Sequence, residues 1–114
     1  MKYLPILFLS LFLLGNAYAD TASYYGNGKK LNKHTANGEV FDPTEMTCAT
    51  YDYPFNTMLE VTNIKNGKSV VVRVNDVGPN KRLGRAIDLS REAFKKIAPL
   101  KQGLCEAKIE VVNE

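Results

Sequence analysis

The stretch from Met58 to Asn75 restricts the fold more than any other part of the chain. MLEVTNI (Met58–Ile64) and SVVVRVN (Ser69–Asn75) each alternate apolar and polar residues with period two, and KNGK separates them. Successive strand residues point to opposite faces, so this alternation predicts two strands, each with one buried face. Asn66-Gly67 between them is a hairpin signal, because both residues tolerate the positive φ of tight turns.

Other segments read as shorter strands around this pair. TASYYG (Thr21–Gly26) has β-formers ending in glycine, MTCAT is a short strand, GRAIDLS is another, and CEAKIEVV (Cys105–Val112) is the last. NGKKLNKHTANGE is polar and rich in Asn and Gly, which predicts a long loop. Ser90 is an N-cap for REAFKKIA, a helix of about two turns that Pro99 closes. Many short strands with one small helix predict a mainly β fold, a compact barrel or sandwich.

The first 19 residues stand apart. Lys2 gives a positive start, LPILFLSLFLLG is an uninterrupted apolar run, and AYA ends it with small residues. That is the pattern of a secretory signal peptide cleaved after Ala19, and the apolar run is too short for the roughly 20 residues of a membrane span. The expectation is a signal peptide over 1–19 and one domain over 20–114, exported to the periplasm or beyond. No stable membrane insertion is expected, and with no cysteine after the apolar run, no lipid anchor. The formal charge of +3 includes Lys2, so the domain carries +2. That is too weak a bias for a nucleic-acid partner, which asks for a denser basic patch.

Cys48 and Cys105 are the whole cysteine inventory. Two cysteines in a short exported chain are expected to pair. Closing a loop of about 57 residues would stabilise by roughly 4 kcal/mol in the chain-entropy model. With His34 as the single histidine, no metal site is expected.

Few residues carry chemistry. YGNGKK lacks the Ser/Thr and the spacing of a phosphate loop and reads as polar loop. Tyr51, Tyr53 and Phe55, at period two, share one face as either a core face or a stacking platform for sugar rings. Asp76 and Asp88 both lie at strand ends, where each is either a turn residue or a functional carboxylate.

TASYYG, TANGEVFDP, PFNTMLEVTNIKNGKSVVVRVNDVGP and GRAIDLSREAF occur in this order. Together they resemble the rare lipoprotein A proteins, bacterial lytic transglycosylases of peptidoglycan that share a double-psi β-barrel with expansins and barwin-like proteins. The resemblance implies a six-stranded double-psi barrel with one or two short helices, and a groove holding a glycan strand. It implies no cofactor, and a monomer is expected. Asp76 of the ND-x-GP motif matches the family's catalytic acid. Tyr24, Thr35, Glu39, Thr50 and Asn75 are implied around the glycan. Asp88, in IDLS, keeps a structural reading at the start of the helix.

Lytic cleavage delivers a proton to the glycosidic oxygen while the sugar's own 6-hydroxyl attacks, so one carboxyl group can act as acid and then base. One departure bears on this. Glycan-cleaving members have a histidine where TCAT places Thr50, and threonine exchanges no proton at neutral pH. The leading expectation is therefore a lytic transglycosylase of weak or altered activity. The alternative is a non-catalytic glycan-binding or expansin-like wall-loosening module.

Overall fold

The computed structural model describes residues 19–25 and 33–112. The expected signal peptide, up to residue 18, and the glycine-rich stretch after Tyr25 lie outside the described residues. Six strands close into a barrel: β1 (Asp20–Tyr25), β2 (Thr47–Ala49), β3 (Met58–Asn63), β4 (Ser69–Asp76), β5 (Ile87–Ser90) and β6 (Leu104–Val111), in the order β1-β5-β2-β4-β3-β6. The expected six-stranded barrel is thus present. β1 with β5 and β2 with β4 pair in parallel, and the remaining neighbours are antiparallel.

Period-two alternation does what it predicts. Leu59 and Val61 of β3, Val70, Val72 and Val74 of β4, and Ile87 and Leu89 of β5 all point inward to one core. Each such side chain, fully buried, contributes roughly 1.5–3 kcal/mol of hydrophobic stabilisation. The β3–β4 hairpin forms, with Gly67 at φ 76°. Asn66 does not share the positive φ. Its side chain is engaged instead, donating to Ile97 O at 3.0 Å and accepting from Lys68 N at 2.9 Å. Asn63 shapes the turn by accepting Lys65 N at 3.0 Å and donating to the same Ile97 O at 2.8 Å.

Ser90 caps helix α1 (Arg91–Lys95) by accepting Ala93 N. The helix is shorter than expected: Ile97 N turns back to Phe94 O, and Pro99 starts a 3₁₀ turn over Leu100–Gln102. Phe94 closes the core from this side, fully buried with Tyr24 at 5.0 Å between ring centroids.

Two expectations need correction. Tyr51, Tyr53 and Phe55 do not share a face, because the segment bends rather than extending, with Pro54 and the positive φ of Asn56 interrupting it. Tyr53 packs on the core while Tyr51 and Phe55 are exposed. Cys48 and Cys105 are free thiols, not a disulfide. Their strands, β2 and β6, stand three positions apart in the six-strand ring whichever way it is followed. Each cysteine therefore enters the core from an opposite wall, whereas a disulfide needs Cα atoms within about 7 Å. Burial pushes the Cys48 thiol up to about 12 and raises that of Cys105, so both stay protonated at neutral pH.

Candidate active site

Asp76 owes its position to a bulge. Cys48 stands opposite Val74 and Ala49 opposite Asp76, so Asn75 is the extra residue on β4. A bulge re-aims the side chains around it. Here Asn75 stays on the outer side with Arg73, since both reach Glu39, while Asp76 is set beside Ala49. Gly78 then turns the chain at φ 138°. A Cβ there would meet only Ala49 Cβ at 3.9 Å, so the backbone angle and not space is what asks for glycine.

The Asp76 carboxylate is half committed. Oδ1 accepts Ala36 N at 3.0 Å and Val77 N at 2.9 Å. Oδ2 has no hydrogen-bond partner among the described residues, and the side chain is partly exposed. One oxygen fixes the group and the other faces outward.

The loop that supplies Ala36 is itself locked. Thr35 Oγ1 donates to Asn37 Oδ1 at 2.6 Å, Thr35 N donates to Glu39 O at 2.7 Å, and Asn37 N reaches Asn75 O at 3.3 Å. Glu39 anchors the far side of this loop through Arg73, with Nη1 to Oε2 and Nη2 to Oε1 both at 2.9 Å, and Asn75 Nδ2 adds a bond of 3.1 Å. This fork geometry is the strong form of a carboxylate–guanidinium contact. Hydrogen bonds from Arg73 and then Asn75 hold the Glu39 carboxyl down to about 2. Glu39 is thus a permanent anion at any pH where the protein works, suited to holding the loop and not to donating a proton.

A second carboxylate belongs to the same face. Ala49 stands opposite Asp76 on one side and Asp88 on the other, so the two aspartates flank β2 with backbones roughly 10 Å apart, two strand spacings. Asp88 lies inside β5, not at the helix start, where Ser90 is the cap. Its Oδ1 accepts a short hydrogen bond from Ser23 Oγ and lies 3.7 Å from Arg85 Nε. Sequence reading left Asp88 structural because nothing local shows that β2 will bring it beside Asp76.

Tyr24, expected around the glycan, packs against the core instead. Tyr24 turns inward, its hydroxyl donating to Leu100 O at 3.0 Å. Tyr25 lies on the carboxylate side, its ring 4.8 Å from Phe41. Burial raises the Tyr25 hydroxyl pKa well above its ordinary value, and the charges of Asp76 and Asp88 push the same way. Alternation along β1 carries the signal: Ala22 and Tyr24 share the core face, which leaves Ser23 and Tyr25 outside. Asn75 Oδ1 is buried without a hydrogen-bond partner, while the buried Tyr25 OH and Thr47 Oγ1 lie near one another without a well-formed bond. Unpaired buried polar atoms are uncommon, and Asn75 Oδ1 sits beside Asp76 on β4.

Thr50 follows β2 and its amide donates to Asp76 O at 3.2 Å. Its side chain is 2 % exposed, donates to Ala86 O at 3.3 Å and accepts Asp52 N at 3.1 Å. The hydroxyl is therefore engaged by backbone and supports the site from beneath. His34 pairs with Val40 at the base of the Thr35–Glu39 loop, exposed. Among the described residues, no cluster of three His, Cys, Asp or Glu side chains is placed to hold a metal ion.

Comparison with known proteins places this geometry. The sequence profile of the family described as lytic transglycolase matches residues 18–109. The chain is 48% identical over 93 residues to the endolytic peptidoglycan transglycosylase RlpA of Vibrio cholerae, covering 81% of this chain and 34% of that protein. It is 44% identical over 98 residues to the probable endolytic peptidoglycan transglycosylase RlpA of Nostoc sp., covering 85% of this chain and 26% of the relative. The chain thus spans about a quarter to a third of these two relatives. Among solved structures, the Streptomyces papain inhibitor superposes with a TM-score of 0.66 at 25% identity, covering 83% of this chain and 93% of that one. An expansin of Clavibacter michiganensis also gives 0.66, at 24% identity over 84% of this chain and 50% of that one, a likeness of fold. The chain belongs to the lytic transglycolase family and carries its RlpA-like double-psi β-barrel.

Proposed function

We propose that this chain is a peptidoglycan lytic transglycosylase that cleaves glycan strands to 1,6-anhydro ends, with Asp76 as its acid and base. The observation that carries this reading is the half-committed Asp76 carboxylate: Oδ1 is fixed by two backbone amides and Oδ2 is left for substrate. In the proposed step, protonated Asp76 gives its proton to the glycosidic oxygen as the bond from that oxygen to the anomeric carbon breaks. The 6-hydroxyl of the same sugar bonds to the anomeric carbon, and its proton returns to Asp76. The acid is regenerated and no water is consumed. Glu39 stays ionised and positions the loop; Asn75 and Thr35 hold that arrangement, Thr50 supports it through Asp76 O, and Tyr25 borders the site in place of Tyr24.

The reading includes export, with a signal peptide over 1–19 removed and a monomeric domain over 20–114. The first strand starting at Asp20 supports that boundary. The names of the RlpA relatives support peptidoglycan as the substrate.

One observation favours a second reading, a glycan-binding or wall-loosening module without turnover. Thr50 stands where glycan-cleaving relatives of the resembled family carry histidine, and its hydroxyl is held by backbone. Incubation with insoluble peptidoglycan separates the two. Release of soluble fragments supports the transglycosylase, whereas co-sedimentation without release supports the binding module. Thr50→His then reports whether an imidazole beside Asp76 restores turnover.

A further inference from the structure

The hairpin turn and the segment after α1 form the opposite end of the barrel from Asp76. β4 has eight residues, so at about 3.3 Å each its two ends are roughly 23 Å apart. Asn63 and Asn66 both donate to Ile97 O and clamp the turn to that segment. This brings together Lys65, Lys68, Lys95, Lys96 and Lys101, while residues 61–69 and 93–103 contain no acid. Against a whole-chain charge of +3, five cations at one end leave the remainder of the chain at −2. Among the described residues none of the five has an ion-pair partner, whereas Arg73, Arg85 and Arg91 each face a carboxylate.

A cleft of about 360 Å³ opens within this cationic end, lined by Asn66, Lys68, Lys95 and residues 97–100. Pro99 and Leu100 give its lining apolar surface, and Lys68 and Lys95, both exposed, line it as well. Glu106 lies beside Lys65 in a neighbouring cleft, so Lys68 and Lys95 are the cations this cleft offers. Two flexible point charges beside apolar surface suit a carboxylate carried on a short aliphatic stem. They lack the planar fork that would favour a bidentate phosphate contact.

We propose that this cleft binds a carboxylate-bearing stem peptide of peptidoglycan, as an anchoring site separate from the glycan groove. The inference rests on the peptidoglycan reading above and adds to it a second point of attachment. A five-residue stem reaches about 17 Å when fully extended, short of the 23 Å or so along β4. The bound peptide therefore hangs from a neighbouring position in the wall and not from the sugar beside Asp76. Its role is to hold the domain against the wall while the other end meets glycan.

The test is amide chemical-shift mapping on the isotopically labelled whole chain at low salt, with a peptide probe, its two controls and a glycan probe titrated separately. N-acetylmuramyl pentapeptide is expected to shift Gly67, Lys68, Lys95 and Ala98 saturably, and Lys68→Glu with Lys95→Glu to weaken that binding at least tenfold. Both lysines are exposed, so the double variant keeps its fold, which the unmoved shifts of β1–β6 verify. Raising salt weakens binding further, since exposed charges are screened over about 8 Å at 0.15 M. Absence of shifts at the cleft, equal binding by the double variant, or equal response to a fully amidated peptide overturns the proposal. So does a stronger response to a glycerol-phosphate oligomer, which would make the partner a phosphate polymer. Peptide-free glycan strands are the glycan probe. They are expected to shift Ala36 and Val77 and not the cleft, so failure of that arm alone counts against the glycan reading and leaves the peptide site standing.

Discussion

The two ends of β4 hold their polar groups in opposite ways. At the Asp76 end each carboxylate is engaged by neighbouring groups, Glu39 by Arg73 and Asn75, Asp88 by Ser23 and Arg85, and Asp76 Oδ1 by two amides, while Asn75 Oδ1 stays unpaired. At the hairpin end, two asparagines fasten the backbone to Ile97 O, and the five lysines have no ion-pair partner among the described residues. The contrast separates construction from recognition. Around Asp76 the neighbouring carboxylates are locked, and Asp76 Oδ2 is left without a hydrogen-bond partner among the described residues. At the hairpin end the scaffold is locked and the lysine charges have no ion-pair partner among the described residues.

Four changes sharpen or break this comparison. Asp76→Asn has the largest expected effect. It keeps an oxygen for the two amides, so the fold and glycan binding persist, while cleavage falls by the roughly 10²–10⁴-fold typical of one acid–base group. Circular dichroism, co-sedimentation and fragment release measured together check it. An unfolded variant would return Asp76 to a purely structural role.

Arg73→Leu comes next. It frees Glu39 and the loop that carries Ala36, so cleavage is expected to fall about tenfold to a hundredfold through misplacement of Asp76. The Arg73 and Glu39 side chains are 30% and 38% exposed, so thermal or denaturant unfolding should show a loss of no more than about 1 kcal/mol. A large loss of stability with undiminished turnover per folded molecule would break the claim that this pair positions the site.

The cysteines give an all-or-none readout in chemistry and a smaller one in stability. Thiol titration of protein never exposed to reductant is expected to find no reactive thiol when folded and two when denatured. Cys48 has its folded pKa raised by burial to about 12, so its contribution to stability is fully present below the unfolded value near 9. That contribution fades as pH rises toward 12, and Cys48→Ala should flatten the alkaline loss. The smallest effect belongs to Glu39, held down to about 2 from 4.5 mainly by Arg73. Its contribution is present above pH 4.5 and lost as pH falls through 2, so Glu39→Gln should make acid unfolding less steep in that window.

Much of the fold was legible because alternation is local. Each predicted strand appears, and Ser90 caps its helix. What failed depended on partners that no local pattern names. The cysteine pairing rested on count and compartment, and strand order decides it: β2 and β6 face each other across the core. The place of Asp76 at a strand end was readable, but its bulge was not, because Asn75 continues the alternation as an ordinary strand residue would. Asp88 became a neighbour of Asp76 only through Ala49, in a strand of three residues that pairs on both sides. The tyrosines were separable in principle, since Ala22 and Tyr24 share a face; the family resemblance drew the choice to Tyr24.

Asp76 acting without a water nucleophile is the central proposal, and the chemistry of the new glycan ends tests it directly. Purified glycan strands, digested by the purified protein and analysed by mass spectrometry, should carry 1,6-anhydro termini lighter by one water than hydrolytic ends, and these should vanish with Asp76→Asn. Reducing termini would contradict the mechanism, and saturable glycan binding with no new termini would contradict the enzyme.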